Sequence, residues 1–182
     1  MRTALLSVSF GLTTLATPLV YSAFPHLIIP LDSFAPDKAY NTQPTFHVSL
    51  GNWTAANWDV PSNAAAYCKI GFTINTDPSR GAPWTLWGVD DNEPFLINIA
   101  QLKGEVNKDT TWNNQPESLI NVATLAVYKS GYTNFTWSMP VICQKGEVAT
   151  FLLQPAEPDR QWDSGLEWYE LDYPHGITYD MF

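Results

Sequence analysis

Cys68-Lys69-Ile70-Gly71-Phe72-Thr73-Ile74-Asn75 is the stretch from which the fold is read. Cys68, Ile70, Phe72 and Ile74 fall on one side at a period of two, and Lys69, Gly71, Thr73 and Asn75 on the other, as a half-buried β-strand requires. The stretch carries one of two cysteines; the other, Cys143, lies 75 positions on. A bond between them would tie two strands distant in sequence across a single core.

Upstream of this strand the chain opens Met1-Arg2-Thr3, runs apolar from Ala4 to Leu15 and passes through small and turn-forming residues to Ser22 and Ala23. A basic start, a short apolar stretch and a small-residue exit predict a secretory signal peptide, since a membrane span needs about 20 apolar residues. Val20 and Ser22 suit the cleavage positions, with Ala16 as a second choice, so 1–22 is expected to be leader and 23–182 one domain. Roughly 160 residues are enough for one domain with a sizeable core. No later segment has the apolar length of a membrane span, and no hydrophobic tail follows a small-residue site, so a glycolipid anchor is not expected.

Loss of Arg2 with the leader takes the net charge from −9 to −10, and no basic cluster is present. Such a chain repels phosphate backbones, which excludes nucleic acid as a partner. Two cysteines behind a leader read as one disulfide, worth roughly 4–5 kcal/mol for a loop of this length; two buried thiols are the alternative. Asn52-Trp53-Thr54 and Asn134-Phe135-Thr136 are N-glycosylation acceptor triplets, which would place both asparagines at the surface.

Taken in order, the chain offers about ten short strands divided by turns. The run 26–31 contains Pro30, which removes a ladder donor and so predicts an edge strand. Further strands are expected over 45–50, 53–60, 68–75, 84–89, 95–102, 122–128, 133–139 continuing to Cys143, 148–153, 166–173 and 177–182. Loops are expected at 34–44, 77–83 and 154–165, a short helical turn at 64–67, and a strand end running into a polar loop at 110–116. No stretch sustains a 3.6 period, and 14 prolines suit loops between strands. The expected fold is all-β, an antiparallel β-sandwich, jelly-roll-like or immunoglobulin-like, with one inter-strand disulfide.

A set of segments carries a resemblance in sequence order. His26 to Ser33 is followed by Pro36-Asp37-Lys38-Ala39-Tyr40, then Trp58-Asp59-Val60-Pro61 and Tyr67-Cys68-Lys69-Ile70-Gly71-Phe72. Thr110-Thr111-Trp112-Asn113-Asn114-Gln115-Pro116, Ile142-Cys143 with Lys145-Gly146-Glu147, and Trp168-Tyr169 with Asp172-Tyr173-Pro174 complete it. Together they resemble the But2 C-terminal domain of fungal proteins over nearly the whole mature chain. The resemblance implies a secreted or wall-associated β-sandwich and brings no catalytic motif with it. That family takes its name from binding an activating-enzyme subunit of a ubiquitin-like pathway, an intracellular partner that a leader-bearing chain would not meet. Where the family often shows Cys-Pro-Ile-Gly, this chain has His175-Gly176-Ile177, so a bridge at that position is absent.

His26, His47 and His175 are too scattered for a metal-site spacing, and neither a nucleophile elbow nor a phosphate loop occurs, so no metal and no cofactor is expected. Two carboxylate groups are offered: Asp90, Asp91 and Glu93, and Glu167, Glu170 and Asp172 beside Trp168 and Tyr169. A glycosidase needs two carboxyls about 5 Å apart for retention, or roughly 6.5–9.5 Å for inversion. Their ordinary reading is as solvated turn residues, and Asp90 to Glu93 alternatively offers oxygen ligands to Ca²⁺.

All eight tryptophans follow the leader, and most are expected in the core. Trp84 and Trp162, however, adjoin the two most turn-rich loops, and loops run over the surface. The candidate ligand-binding set is therefore Trp84, Trp87, Trp162 and Trp168 with Asp90, Asp91 and Glu93. The expected function is a secreted, non-enzymatic protein of the cell wall or extracellular space that binds polysaccharide or an extracellular protein through loop aromatics. The alternatives are a carbohydrate-active enzyme using paired carboxylates, and a structural wall protein with no small ligand.

Overall fold

A computed structural model describes residues 21–160, 162–171 and 175–182. Thirteen strands are found among them, with a single 3₁₀ turn at Pro78–Arg80. The first seven are β1 (Tyr21–Ala23), β2 (Leu27–Asp32), β3 (Thr45–Ser49), β4 (Asn52–Asp59), β5 (Tyr67–Thr73), β6 (Trp84–Trp87) and β7 (Phe95–Leu102). The rest are β8 (Ser118–Val127), β9 (Thr133–Ser138), β10 (Val141–Ile142), β11 (Val148–Pro155), β12 (Gly165–Tyr169) and β13 (Gly176–Met181). They form antiparallel sheets of six strands (β2-β4-β11-β7-β8-β9), four (β1-β13-β5-β10) and three (β3-β12-β6). The all-β, sandwich-like architecture is the expected one. Pro30 sits on β2 at the edge of the largest sheet, where its missing N–H costs no ladder bond.

The sandwich closes because alternate residues of all three sheets enter one core. Cys68, Ile70, Phe72 and Ile74 are all in it. Rings lock the sheets together: Phe151 of β11, which packs on Trp58 of the neighbouring β4 at 5.5 Å, meets Tyr179 of β13 at 5.2 Å, and Trp168 of β12 meets Phe72 of β5 at 5.1 Å. Edge-on and tilted aromatic pairs of this kind add about 0.5–1.5 kcal/mol each beyond their buried area.

A second core, unforeseen from the sequence, lies on the other face of the six-stranded sheet, where Ile29, Leu31, Ala55, Leu102, Val106 and Leu152 cluster under Trp53 and Trp112. It exists because the connection from β7 to β8 folds back over the sheet. Asn57, itself buried, holds that connection down: its Nδ2 donates to the Val106 carbonyl at 2.9 Å, and its Oδ1 accepts from Val106 N at 3.3 Å and Thr150 Oγ1 at 2.9 Å. Residues 110–116 are a turn-rich loop in place of the expected strand end, bonded to itself through Thr111 and Asn114 and to the 34–44 loop through Asn113 and Asp37 (2.8 Å).

Cys68 and Cys143 are bonded, with their Cα atoms 5.2 Å apart. Val141 pairs with Cys68 across β10 and β5, so the bond clips neighbouring strands of one sheet and does not cross between layers as expected. Residues 64–66 form no helix, β11 runs two residues into the expected 154–165 loop, β12 starts at Gly165, and β6 stops at Trp87. The expected leader and both cleavage choices fall mainly on residues 1–20, outside the described residues, whereas its last two residues, Tyr21 and Ser22, pair with β13. Ser22 Oγ donates to Asp180 Oδ1 at 2.5 Å.

Candidate functional site

The three-stranded sheet carries three of the candidate ligand-binding residues, Trp84, Trp87 and Trp168. Its register sets Gly165 opposite both Ser49 and Trp87, Glu167 opposite His47 and Thr85, and Trp168 opposite Phe46 and Trp84. Side chains alternate across a sheet, so Phe46, Val48, Leu86, Leu166 and Trp168 turn to the core and His47, Ser49, Thr85, Trp87, Glu167 and Tyr169 turn outward.

Trp168 is 0% exposed and stacks on Phe46 at 4.6 Å with an interplanar angle of 2°, so it is a core ring with no face to offer a ligand. Trp84 is half-buried and packs against the same core. Trp87 lies on the outside with its indole over Gly165, where any Cβ would collide with the ring; only glycine admits that close approach. His47 meets Trp87 edge-on at 5.5 Å, and its Nδ1 is 3.4 Å from Glu167 Oε2.

Beyond Trp87 the chain turns at Gly88 (φ 70°), a conformation that favours glycine. The space of a Cβ there is filled by the backbone of Asp163 and Ser164, so the loop bearing Trp162 is seated on the end of β6. Trp162 itself is 70% exposed. At the Gly88 turn opens a cleft of about 340 Å³, lined by Gly88 with Asp90, Glu93, Pro94, Leu96, Glu157 and Arg160. Arg160 Nη1 pairs with Glu157 Oε2 at 3.0 Å. Asp91 stays out of the cleft, exposed and 3.1 Å from Lys129 Nζ.

The carboxylates of the hydrolase alternative are divided between surfaces. Glu167 faces outward beside His47, whereas Glu170 accepts the Trp168 indole N–H at 2.9 Å on the inner side and the Ile177 N–H at 3.2 Å. Burial pushes the Glu170 carboxyl up to about 8, against the smaller opposing effect of those two donors. It lines a different hollow of about 260 Å³, with His26, Thr42 and Gln43. Asp172, the third member, lies outside the described residues. Among the described residues no three acidic, histidine or cysteine side chains converge as a group that could hold a metal ion.

Asn52 and Asn134 are both half-buried at strand positions, on β4 and β9. His175, at the position where a family cysteine was expected to be missing, is buried; its Nδ1 accepts the Asn75 N–H at 3.0 Å and so ties the end of β5 to β13. No helix among the described residues is long and apolar enough to cross a membrane.

His47, Ser49, Thr85 and Tyr169 did not enter the candidate set from sequence. Alternation of Phe46 and Val48 puts His47 outward, but only the register reveals that it meets Glu167 and Trp87.

A family model described as "Ubiquitin 3 binding protein But2 C-terminal domain" matches residues 23–174. No curated protein matches the chain.

Proposed function

From the premise that this chain belongs to the But2 C-terminal domain family, we propose that it is a secreted, non-catalytic binding protein whose ligand is a wall or extracellular glycan. The observation that carries this reading is Trp162, a 70% exposed indole on the loop seated against Gly88, and Gly88 lines a polar cleft. An indole face stacks on the apolar face of a sugar ring, and the carboxylates and guanidinium that line the cleft suit hydroxyl groups. The leader-like start and the Cys68–Cys143 bond support an oxidising, extracytoplasmic setting. An enzyme is disfavoured because Glu167 and Glu170 leave β12 on opposite sides and Asp91 is held by Lys129.

The test is retention on insoluble chitin, β-glucan and cellulose, followed by assay for released reducing sugar. The expected result is retention on at least one polymer, reduced in Trp162→Ala, with no sugar released. Failure to bind any of them, with a folded protein, sinks the reading; sugar release would favour the hydrolase.

A further inference from the structure

The outward face of β3, β12 and β6 carries chemistry that the loop cleft does not use. Along β12, Gly165, Glu167 and Tyr169 point the same way. At one end the Trp87 indole is laid over Gly165. At the other, Tyr169, 39% exposed, lines a hollow of about 210 Å³ with Thr45, Thr85 and Glu167. Four residues of strand separate these ends, roughly 13–14 Å, longer than a single sugar ring. Between them Glu167 pairs with His47, and Ser49 Oγ lies 3.3 Å from His47 Nε2.

We infer that this face is a platform for an extended, neutral polysaccharide, with sugar rings on Trp87 and Tyr169 and their hydroxyls bonded by Glu167, His47, Ser49 and the two threonines. The inference rests on the reading that the protein binds glycans and names where and which class. The occupant is neutral because the face carries no lysine or arginine to pair with an anion, and its one carboxylate lies 3.4 Å from the His47 ring. An anionic polymer would find no cation here and would meet the chain's net charge of −9. A flat, hydroxyl-rich ligand matches a surface of two aromatic rings with short polar side chains between them. Trp87 is pre-positioned: Gly165 beneath and His47 at its edge fix the ring, so little side-chain entropy is lost on binding. Because Trp87 and Gly88 are consecutive and Gly88 lines the cleft, a chain leaving the platform at that end runs on toward the cleft.

The test is binding of soluble neutral oligosaccharides of increasing length, and of an acidic polysaccharide, to the full protein and to Trp87→Ala, Trp87→Phe, Tyr169→Ala and Trp162→Ala, with melting curves for each. Affinity is expected to rise with ligand length and to fall roughly tenfold in Trp87→Ala and in Tyr169→Ala, while Trp87→Phe keeps most of it. Hydroxyl-radical footprinting of the unsubstituted protein gives a second readout, independent of whether Trp87→Ala folds: Trp87 and Tyr169 should be protected by ligand. Binding lost in Trp162→Ala but unchanged in Trp87→Ala and Tyr169→Ala, without protection of those two rings, overturns the platform and leaves the glycan reading standing. No binding of any sugar overturns both. Tighter binding of the acidic polymer overturns the neutral class.

Discussion

The indole of Trp168 donates to the Glu170 carboxyl at 2.9 Å from within the protein, joining a core ring to a half-buried acid just beyond the end of β12. Gly176 presses against the same carboxyl, and a Cβ there would overlap it. The acid is therefore enclosed by groups that cannot easily retreat.

Its titration should be visible in stability. The folded protein holds the Glu170 proton up to about pH 8, whereas the ordinary carboxyl releases it near 4.5. Stability from this group is thus complete below pH 4.5 and is lost as pH rises toward 8, by at most about 1.4 kcal/mol per pH unit. His175 acts in the opposite sense: burial lowers it, against the smaller effect of the Pro83 carbonyl, so it removes stability only as pH falls below its ordinary 6.5. Between pH 6.5 and 8 Glu170 acts without that opposition. The urea midpoint should drop over this interval in the natural protein and stay nearly flat in Glu170→Gln, whose carbonyl can still accept from Trp168. Parallel pH profiles for the two proteins would refute the assignment.

The Asn57 clamp should be worth several hydrogen bonds. Asn57→Leu keeps the volume but leaves the N–H and C=O of Val106, which is 1% exposed, without their partners. The expected cost is about 2–4 kcal/mol in urea unfolding. The 103–117 connection should also lift locally, so trypsin should cut after Lys108 faster at denaturant concentrations where the sheet persists. An unchanged cleavage rate would mean that Trp53 and Trp112, with rings 4.3 Å apart, hold the connection unaided.

Reduction of Cys68–Cys143, or the double change to Ala, opens a link across 75 positions and should cost roughly 4–5 kcal/mol. Because the bond clips β10 to β5, amide exchange should accelerate first at Val141 and Ile142 and last in β4 and β11. Uniform acceleration throughout would indicate that the bond acts on the unfolded chain alone.

What could be read from sequence was whatever obeys alternation on one buried face. Cys68 to Ile74 does, and the Pro30 strand lies at the edge where a missing donor must go. Thr54 to Trp58 breaks the pattern because every residue in that run is buried. Ala55 enters the outer core while Ala56 and Trp58 enter the inner one, and the cover on the outer side comes from residues about fifty positions away. No local pattern announces such a cover. Trp168 belongs to the candidate binding set, yet its alternation with Glu167 and Tyr169 points it inward with Leu166. The platform joins positions 47, 87 and 167, and strand register across that separation is not written in the chain.

Asn52 links the acceptor triplet to the platform. Its Nδ2 donates to Ser49 Oγ at 3.4 Å, and Ser49 in turn faces His47 beside Trp87. A glycan attached at Asn52 therefore starts at the rim of the proposed platform and competes there with any polymer in solution. Asn134 is on β9, at the end of the six-stranded sheet opposite β2. Protein secreted from a glycosylating host should bind neutral polysaccharide several-fold more tightly as Asn52→Gln, or after enzymatic removal of its glycans, and no differently as Asn134→Gln. Equal gains from both substitutions would assign the effect to bulk shielding, and a loss in Asn52→Gln would mean that the attached sugar is part of the binding surface.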